Sequence, residues 1–289
     1  MLEAFESDGL WLKGNLHTHT TNSDGQQTPE ERVAGFKEKG YDFLALTDHG
    51  RVTRVEGNGI VLIAGVEFGV NGYHLLVLNV PDDFHLSEGA SIQTAVDEVR
   101  AGGGLPILAH PYWLGLTLHD LRSITGSLGI EIYNSTCGRI GKAVSTVHWD
   151  DLLADGWRGF GFAVDDAHIL QDAYLGWIMV KSQARDAASI LEAIEAGRFY
   201  ASTGPEIKSV TNTGGKLHVT CSDAAIINFI CRRWTGCQVK ADEGSKLNEA
   251  EFQLNARQGY VRIEVIDARG RTAWTNPLYI DQEQTDGAS

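Results

Sequence analysis

Residues 43–49 read Phe43-Leu44-Ala45-Leu46-Thr47-Asp48-His49, an apolar run of strand length that stops on an acid and a histidine. The same shape recurs: Ile60 to Val66 runs into Glu67, Leu105 to Ala109 into His110-Pro111, and Gly159 to Val164 into Asp165-Asp166-Ala167-His168. Further apolar runs lie at Gly14-Asn15-Leu16, His74 to Val80, Gly129 to Tyr133 and Leu175 to Val180. Short runs of this kind read as buried strands. Between several of them lie helix signals. Thr28-Pro29-Glu30-Glu31 supplies an N-cap, a proline at the first helical position and a capping-box glutamate, with Gly40 as the stop. A second helix is expected from about Asp186 to Gly197, and Gly102-Gly103-Gly104 ends another before the Leu105 strand. Strands alternating with helices predict an α/β fold, a largely parallel sheet or barrel.

After Tyr200 the texture changes. Ala201-Ser202-Thr203-Gly204-Pro205 leads into strand-like segments at Leu217 to Cys221, Ile226 to Cys231 and Tyr260 to Ile266, with no helix signal. Tyr260-Val261-Arg262-Ile263-Glu264-Val265-Ile266 alternates apolar and charged residues, which predicts a strand with one face in water. The expected organisation is therefore a domain over 1–203 and a small β-rich domain, a sandwich, over 204–289, with a frayed tail from Asp281 to Ser289.

The composition fits a folded chain and excludes several classes. Of 289 residues, 43% are hydrophobic and 21% charged, which argues against disorder, collagen and coiled coil. No stretch approaches the roughly 20 apolar residues that span a bilayer, and the start lacks the pattern of a secretory signal, so no membrane association and a cytoplasmic location are expected. The net charge of −14 opposes general binding of nucleic acid, leaving a small molecule as the expected partner. The four cysteines fit neither a zinc finger nor a redox pair and are expected to be reduced and structural.

The chemistry concentrates in the histidines and acids. In an extended strand His17 and His19 point to one side, and Asp24 follows in the next loop. In a parallel α/β fold the carboxyl ends of the strands form one face, so Glu67, His110, Asp166 and His168 would meet His17, His19 and His49 there. Single buried acids or imidazoles would be costly to desolvate, whereas divalent cations would satisfy them together. Mixed histidine and carboxylate donors suit zinc, manganese or iron. The donors exceed the needs of one ion, and paired ions about 3.5–4 Å apart are suited to hydrolysis. No Gly-x-Ser-x-Gly elbow supports a serine triad, and no Gly-x-Gly-x-x-Gly supports a nucleotide loop.

His17-x-His19 with Ser23-Asp24-Gly25, Thr47-Asp48-His49, Gly65-Val66-Glu67, His110-Pro111 and Asp166-x-His168 together resemble, in order, the PHP (polymerase and histidinol phosphatase) superfamily of metal-dependent hydrolases, over about residues 13–170. The resemblance implies a distorted seven-stranded (β/α) barrel with two or three metal ions. One would take His17, His19, Glu67 and Asp166, with Glu67 bridging to a second held by His74 and His110, and a third would take Asp24, His49 and His168. His74 opens its strand instead of ending it. Asp165-Asp166 departs from the Ser-Asp of many relatives; the spacing to His168 assigns the ligand to Asp166. Trp149 to Leu153, Gly197 to Pro205 and Ala273 to Pro277 resemble the carbaryl-hydrolase-like branch, which carries a C-terminal β domain.

The expected activity is hydrolysis of a small phosphate ester, with Glu67, Asp166 and His168 as catalytic residues and Arg51, Arg54, Arg139 and Lys142 as candidate substrate contacts. Tyr112 and Trp113 are expected in ordinary core packing. A carbamate or carboxylic ester is the second substrate class, suggested by the branch likeness and by Tyr112 and Trp113 if they stand at the site instead of in the core. A non-catalytic, metal-stabilised binding protein is the alternative outside enzymes.

Overall fold

The computed structural model describes residues 2–280; the expected frayed tail from Asp281 lies outside the described residues. β1 (Leu10–Asn15) pairs in parallel with β2 (Phe43–Leu46), and β2 in parallel with β3 (Val61–Val70). β4 (Tyr73–Leu78) turns back antiparallel on β3, and β5 (Leu105–Leu108) runs antiparallel to β4. Parallel pairing resumes through β6 (Gly129–Asn134) and β7 (Phe160–Val164). Just past β7 a parallel bridge joins Ala167 to Thr18 beyond β1, with His19 N–H donating to the Ala167 carbonyl at 3.1 Å and Asp166 N–H to that of His17 at 2.8 Å. Seven strands thus close into a ring.

The reversal at β4 is written in Asn71-Gly72, which joins β3 to β4 with φ of 47° and 86°. Positive φ at both central residues is the signature of a tight hairpin turn matched to strand twist. Because β4 runs backwards, its first residues lie at the same end of the barrel as the last residues of its parallel neighbours. That is why His74 can open a strand and still stand on the face where the others end.

Helices cover the outside. Thr28 caps the helix Pro29–Glu38: its hydroxyl accepts from Glu31 N–H at 3.2 Å, and the Glu31 carboxylate accepts from Thr28 N–H at 2.8 Å. Asp186 caps Ala187–Glu195 through Ser189 N–H. Two more helices, Ile92–Ala101 and Thr146–Ala154, precede β5 and β7. The barrel core is built from residues such as Leu12, Phe43, Ile107, Ile130 and Phe162, each fully buried.

β8 (Trp177–Ser182) lies antiparallel to β1, and β9 (Phe199–Ser202) antiparallel to β8. Beyond residue 204, β10 (Ile207–Thr213), β11 (Lys216–Ala224) and β14 (Leu247–Gln253) form a three-stranded antiparallel sheet. β12 (Ile226–Cys231), β13 (Cys237–Lys240), β15 (Tyr260–Ile266), β16 (Thr272–Thr275) and β17 (Leu278–Tyr279) join the larger sheet, because β16 pairs with β9. The two sheets share a second core, across which the rings of Phe229 and Phe252 stack at 4.9 Å. All four cysteines are free, and Cys137, Cys221 and Cys231 are buried.

One expectation fails. The charged side of β15 is not wet: Arg262 is only 1% exposed, its guanidinium donating to both oxygens of Asp150 at 2.7 and 2.5 Å and to Glu264 at 2.6 Å. It also lies 5.0 Å from the Trp149 ring. Alternation reported two different environments correctly, but the polar one is an ion-paired contact with the helix Thr146–Ala154. A sheet residue facing a helix can be charged if its partner is supplied from the other side.

Candidate metal centre

The chain leaves β1 in extended form, so His17 and His19 project to one side and their Nε2 atoms approach to 3.2 Å. Glu67, on β3, places Oε2 3.1 Å from each of these nitrogens. Asp166, beyond β7, places Oδ1 at 3.2 and 3.0 Å from the same two. The other Glu67 oxygen stands 2.7 Å from His74 Nδ1 and 3.2 Å from His110 Nε2. At the mouth, Asp24 Oδ2 is 3.3 Å from His168 Nε2 and 3.7 Å from His49 Nε2. Three groups result: His17, His19, Glu67 and Asp166; Glu67, His74 and His110; and His19, Asp24, His49 and His168. Within each, the donor atoms lie within 4.8 Å of one another.

The donor set suits divalent cations. Asp166 Oδ1 is buried and has no hydrogen-bond partner although it stands amid imidazole nitrogens. His17 Nδ1 meets Glu131 Oε1 at 2.6 Å, which turns the lone pair of Nε2 toward Glu67 and Asp166 when Nδ1 carries the proton. His110 and Asp166 both hold positive φ, 27° and 54°, a strained backbone of the kind that collects at functional sites.

The charges respond to this crowding. Burial opposes ionisation of His17, yet Asp166, Glu67 and Glu131 hold its imidazole well above the ordinary value. His19 is likewise opposed by burial but raised to about 9 by Asp166 and Glu67. Burial would raise Glu67, whereas His17 and the hydrogen bonds of His110, His17 and His19 hold it well below the usual carboxylate range. Asp166 is lowered for the same reason, His17 and His19 overcoming burial. His110 is raised, with burial outweighed by Glu67, Glu131 and Asp166. His49 is lowered, chiefly by burial. Anionic carboxylates thus stand at the centre of a ring of imidazoles.

Neighbouring acids serve the frame. Asp165 faces away, accepting from the backbone N–H groups of Tyr174, Leu175 and Gly176 at 2.6, 2.9 and 2.8 Å; burial pushes its carboxyl up to about 7 against those bonds. Asp48 accepts from Thr20 N–H and from the hydroxyls of Thr20, Ser23 and Thr53, which pins the loop leading to Asp24. Those bonds hold its carboxyl low despite burial.

Glu131 is the residue that the strand-end pattern passes over. It is 1% exposed, and beyond His17 its other oxygen accepts from His110 N–H and from the Asn134 amide, both at 2.9 Å. The available signal was a lone acid inside Gly129-Ile130-Glu131-Ile132-Tyr133, where a buried strand has no place for a charge without a partner.

A cavity of about 460 Å³ opens over the cluster, walled by Trp113, Thr136, Cys137, Arg139 and Ile169. Of the four basic candidates, Arg139 lines it, with its guanidinium held by the Asp172 carboxylate. Arg51, Arg54 and Lys142 do not line it: Arg51 is exposed, Arg54 is bound to Asp82 at the surface, and Lys142 lies 5.2 Å from the Tyr112 ring. Trp113 and Tyr112, expected in the core, are 43% and 41% exposed. Trp113 lies three residues after His110, in the short helix Pro111–Leu114, and packs edge-on to its ring at 5.2 Å, which carries the indole to the cavity wall.

The chain is similar to known proteins in part of its sequence and in fold. Residues 15–99 match the PHP domain model. The chain is 25% identical over 147 residues, 82% of its counterpart, to an uncharacterised protein of Methanocaldococcus jannaschii. It is 36% identical over 102 residues to a 5'-3' exoribonuclease of Haemophilus influenzae, of whose length the match spans 37%. A Bacteroides vulgatus crystal structure, a two-domain protein containing a predicted PHP-like metal-dependent phosphoesterase, superposes with a TM-score of 0.56 over 96% of both chains. At 17% identity that likeness is one of fold.

Proposed function

We propose that this chain, whose residues 15–99 match the PHP domain model, is a PHP-type metal-dependent hydrolase acting on a small phosphate ester. The observation that carries this reading is the convergence of three histidine–carboxylate groups beneath one open cavity at the strand ends. His17, His19, Glu67 and Asp166 would hold one ion, Glu67, His74 and His110 a second, and Asp24, His49 and His168 a third, drawn from zinc, manganese or iron. When bound, such ions supply Lewis acidity and lower the pKa of water.

The chain's own groups then bind and orient. Glu67 divides its two oxygens between the first two groups and sets their spacing. His168 Nδ1 donates to the Asp166 carbonyl at 2.8 Å, which leaves Nε2 facing Asp24 at the cavity mouth; Asp166 or His168 would orient the water, and His168 could pass a proton to the leaving group only while its Nε2 is not given to an ion. Arg139, restrained by Asp172, offers its remaining N–H donors to an anionic substrate oxygen. Trp113 gives the substrate body an apolar wall. We assign the catalytic barrel to 1–203 and the β domain to 204–289, and place the protein in the cytoplasm; no helix among the described residues is long and apolar enough to cross a membrane.

The test is turnover of para-nitrophenyl phosphate by metal-stripped and zinc-, manganese- or iron-reconstituted protein, beside a naphthyl carbamate and an end-labelled RNA oligonucleotide. Metal-dependent cleavage of the phosphomonoester supports the reading. Cleavage of the carbamate alone moves the substrate to the second class, and cleavage of RNA alone moves it to the activity of the exoribonuclease relative. A chain inert to all three when fully loaded contradicts the hydrolase reading.

A further inference from the structure

β1 and β7 meet past their ends, at the bridge between Thr18 and Ala167, and the segments that meet there carry His17, His19, Asp166 and His168. Behind this seam lies Arg32, in the first turn of the helix Pro29–Glu38. An arginine in a helix that opens Pro29-Glu30-Glu31 would ordinarily reach for water or for an acid. Arg32 does neither. It is 0% exposed, and its hydrogen bonds run to main-chain carbonyls: Nε donates to His19 at 3.2 Å, and Nη2 donates to Ala167 at 3.0 Å and to His168 at 3.4 Å. One guanidinium thus joins the strand end that carries His19 to the strand end that carries His168. Its Nη1 is buried without a partner, so the group is kept inside at a cost.

The loop between the two ends is tied at the same place. Gly25 N–H donates to the Thr20 carbonyl at 2.9 Å and Gln26 N–H to that of His168 at 2.8 Å, so Asp24 stands on a loop with both ends at the seam. The group His19, Asp24, His49 and His168 therefore hangs largely from backbone that Arg32 holds together, with the His19 and His168 rings stacked at 4.2 Å. Packing does little to fix this group, because Asp24 is exposed and His49 and His168 are half-buried. The group His17, His19, Glu67 and Asp166 differs: it is buried throughout, and His17 and Asp166 have supports of their own in Glu131 and the Asn134 amide.

On the reading of this site as a metal centre, we propose that Arg32 is a positioning residue for the outermost ion. By tying the His19 and His168 carbonyls it sets the spacing of their rings, and with it the span that Asp24 and His49 complete. Lysine cannot replace it fully, since a single ammonium lacks the fork that reaches both strand ends.

The experiment titrates zinc into the metal-stripped full chain against a chromophoric chelator, for wild type, Arg32→Met, Arg32→Lys, Asp24→Asn and Arg262→Met, with the melting temperature of each metal-free protein. Asp24→Asn identifies the outermost ion, because Asp24 belongs to that group alone. Arg32→Met should weaken the same ion about tenfold or more and leave the tighter ions in place, and Asp24→Asn added to it should cost little further. Arg32→Lys should fall between Arg32→Met and wild type. Arg262→Met, at a buried arginine of the β domain, should lower the melting temperature without changing zinc affinity, which separates positioning from stability. Wild-type affinity for the outermost ion in either folded Arg32 variant, equal weakening of every ion, the same weakening in Arg262→Met, or zinc binding that Asp24→Asn leaves unchanged would overturn the proposal and leave the buried metal groups standing. A wild-type chain that takes up no zinc would remove the metal centre itself.

Discussion

Glu131→Gln is the sharpest probe of how the metal centre is held, because it keeps the volume of a fully buried side chain and changes only its hydrogen bonding. In the native protein one oxygen meets His17 Nδ1 at 2.6 Å while the other accepts from His110 N–H and the Asn134 amide. A glutamine has two ways to sit there. If its carbonyl stays with the two N–H donors, its amide donates to His17 Nδ1 and drives the ring proton onto Nε2, the atom that faces Glu67 and Asp166. If it flips, its amide opposes two N–H donors at 2.9 Å. The first arrangement removes a ligand lone pair, and the second breaks two buried hydrogen bonds. Loss of such a supporting carboxylate typically costs about 10–100-fold in metal affinity, or roughly 1.4–2.7 kcal/mol. Competition against a chromophoric chelator measures this directly, with thermal melting of the metal-free protein as the control for folding. Metal affinity equal to wild type in a folded Glu131→Gln protein would refute the positioning role.

Two further outcomes test the fold. Arg262→Met removes the buried guanidinium that joins β15 to the helix Thr146–Ala154 and leaves Asp150 and Glu264 facing each other; a loss of about 3 kcal/mol is expected, read as a fall of roughly 5–10 °C in melting temperature. An unchanged midpoint would show that the contact contributes nothing net. Gly72→Val places a β-branched residue at φ 86° in the hairpin that reverses β4, and should destabilise the protein by about 1–2 kcal/mol in urea unfolding, whereas Gly69→Ala, with open space around its added Cβ, should cost less.

Much of the barrel was legible because buried parallel strands are short apolar runs, and each was punctuated by a residue that an apolar core would not tolerate alone. The segments containing Phe43-Leu44-Ala45-Leu46 and Leu105-Pro106-Ile107-Leu108 stand in the structure as β2 and β5. The direction of β4 was equally present in Asn71-Gly72, a hairpin signal that is local and easily passed over between two apolar runs. What local pattern could not carry is partnership across the fold. Glu131 reads as an anomaly inside a strand until His17 and His110, distant in sequence, are seen to share its oxygens. Arg262 reads as solvent-facing until the helix bearing Asp150 is laid on it. The candidate substrate arginines divide for the same reason: Arg139 and Arg54 look alike in sequence, and only their acidic neighbours, Asp172 at the cavity and Asp82 at the surface, separate them.

The clustered imidazoles and carboxylates are placed to hold several metal ions. Elemental analysis of the purified protein, after metal supply and removal of excess, compares wild type with His17→Ala/His19→Ala. Two or three transition-metal ions are expected per wild-type chain, and fewer in the variant. A folded wild-type protein that retains none, or a variant that retains as many, would contradict it.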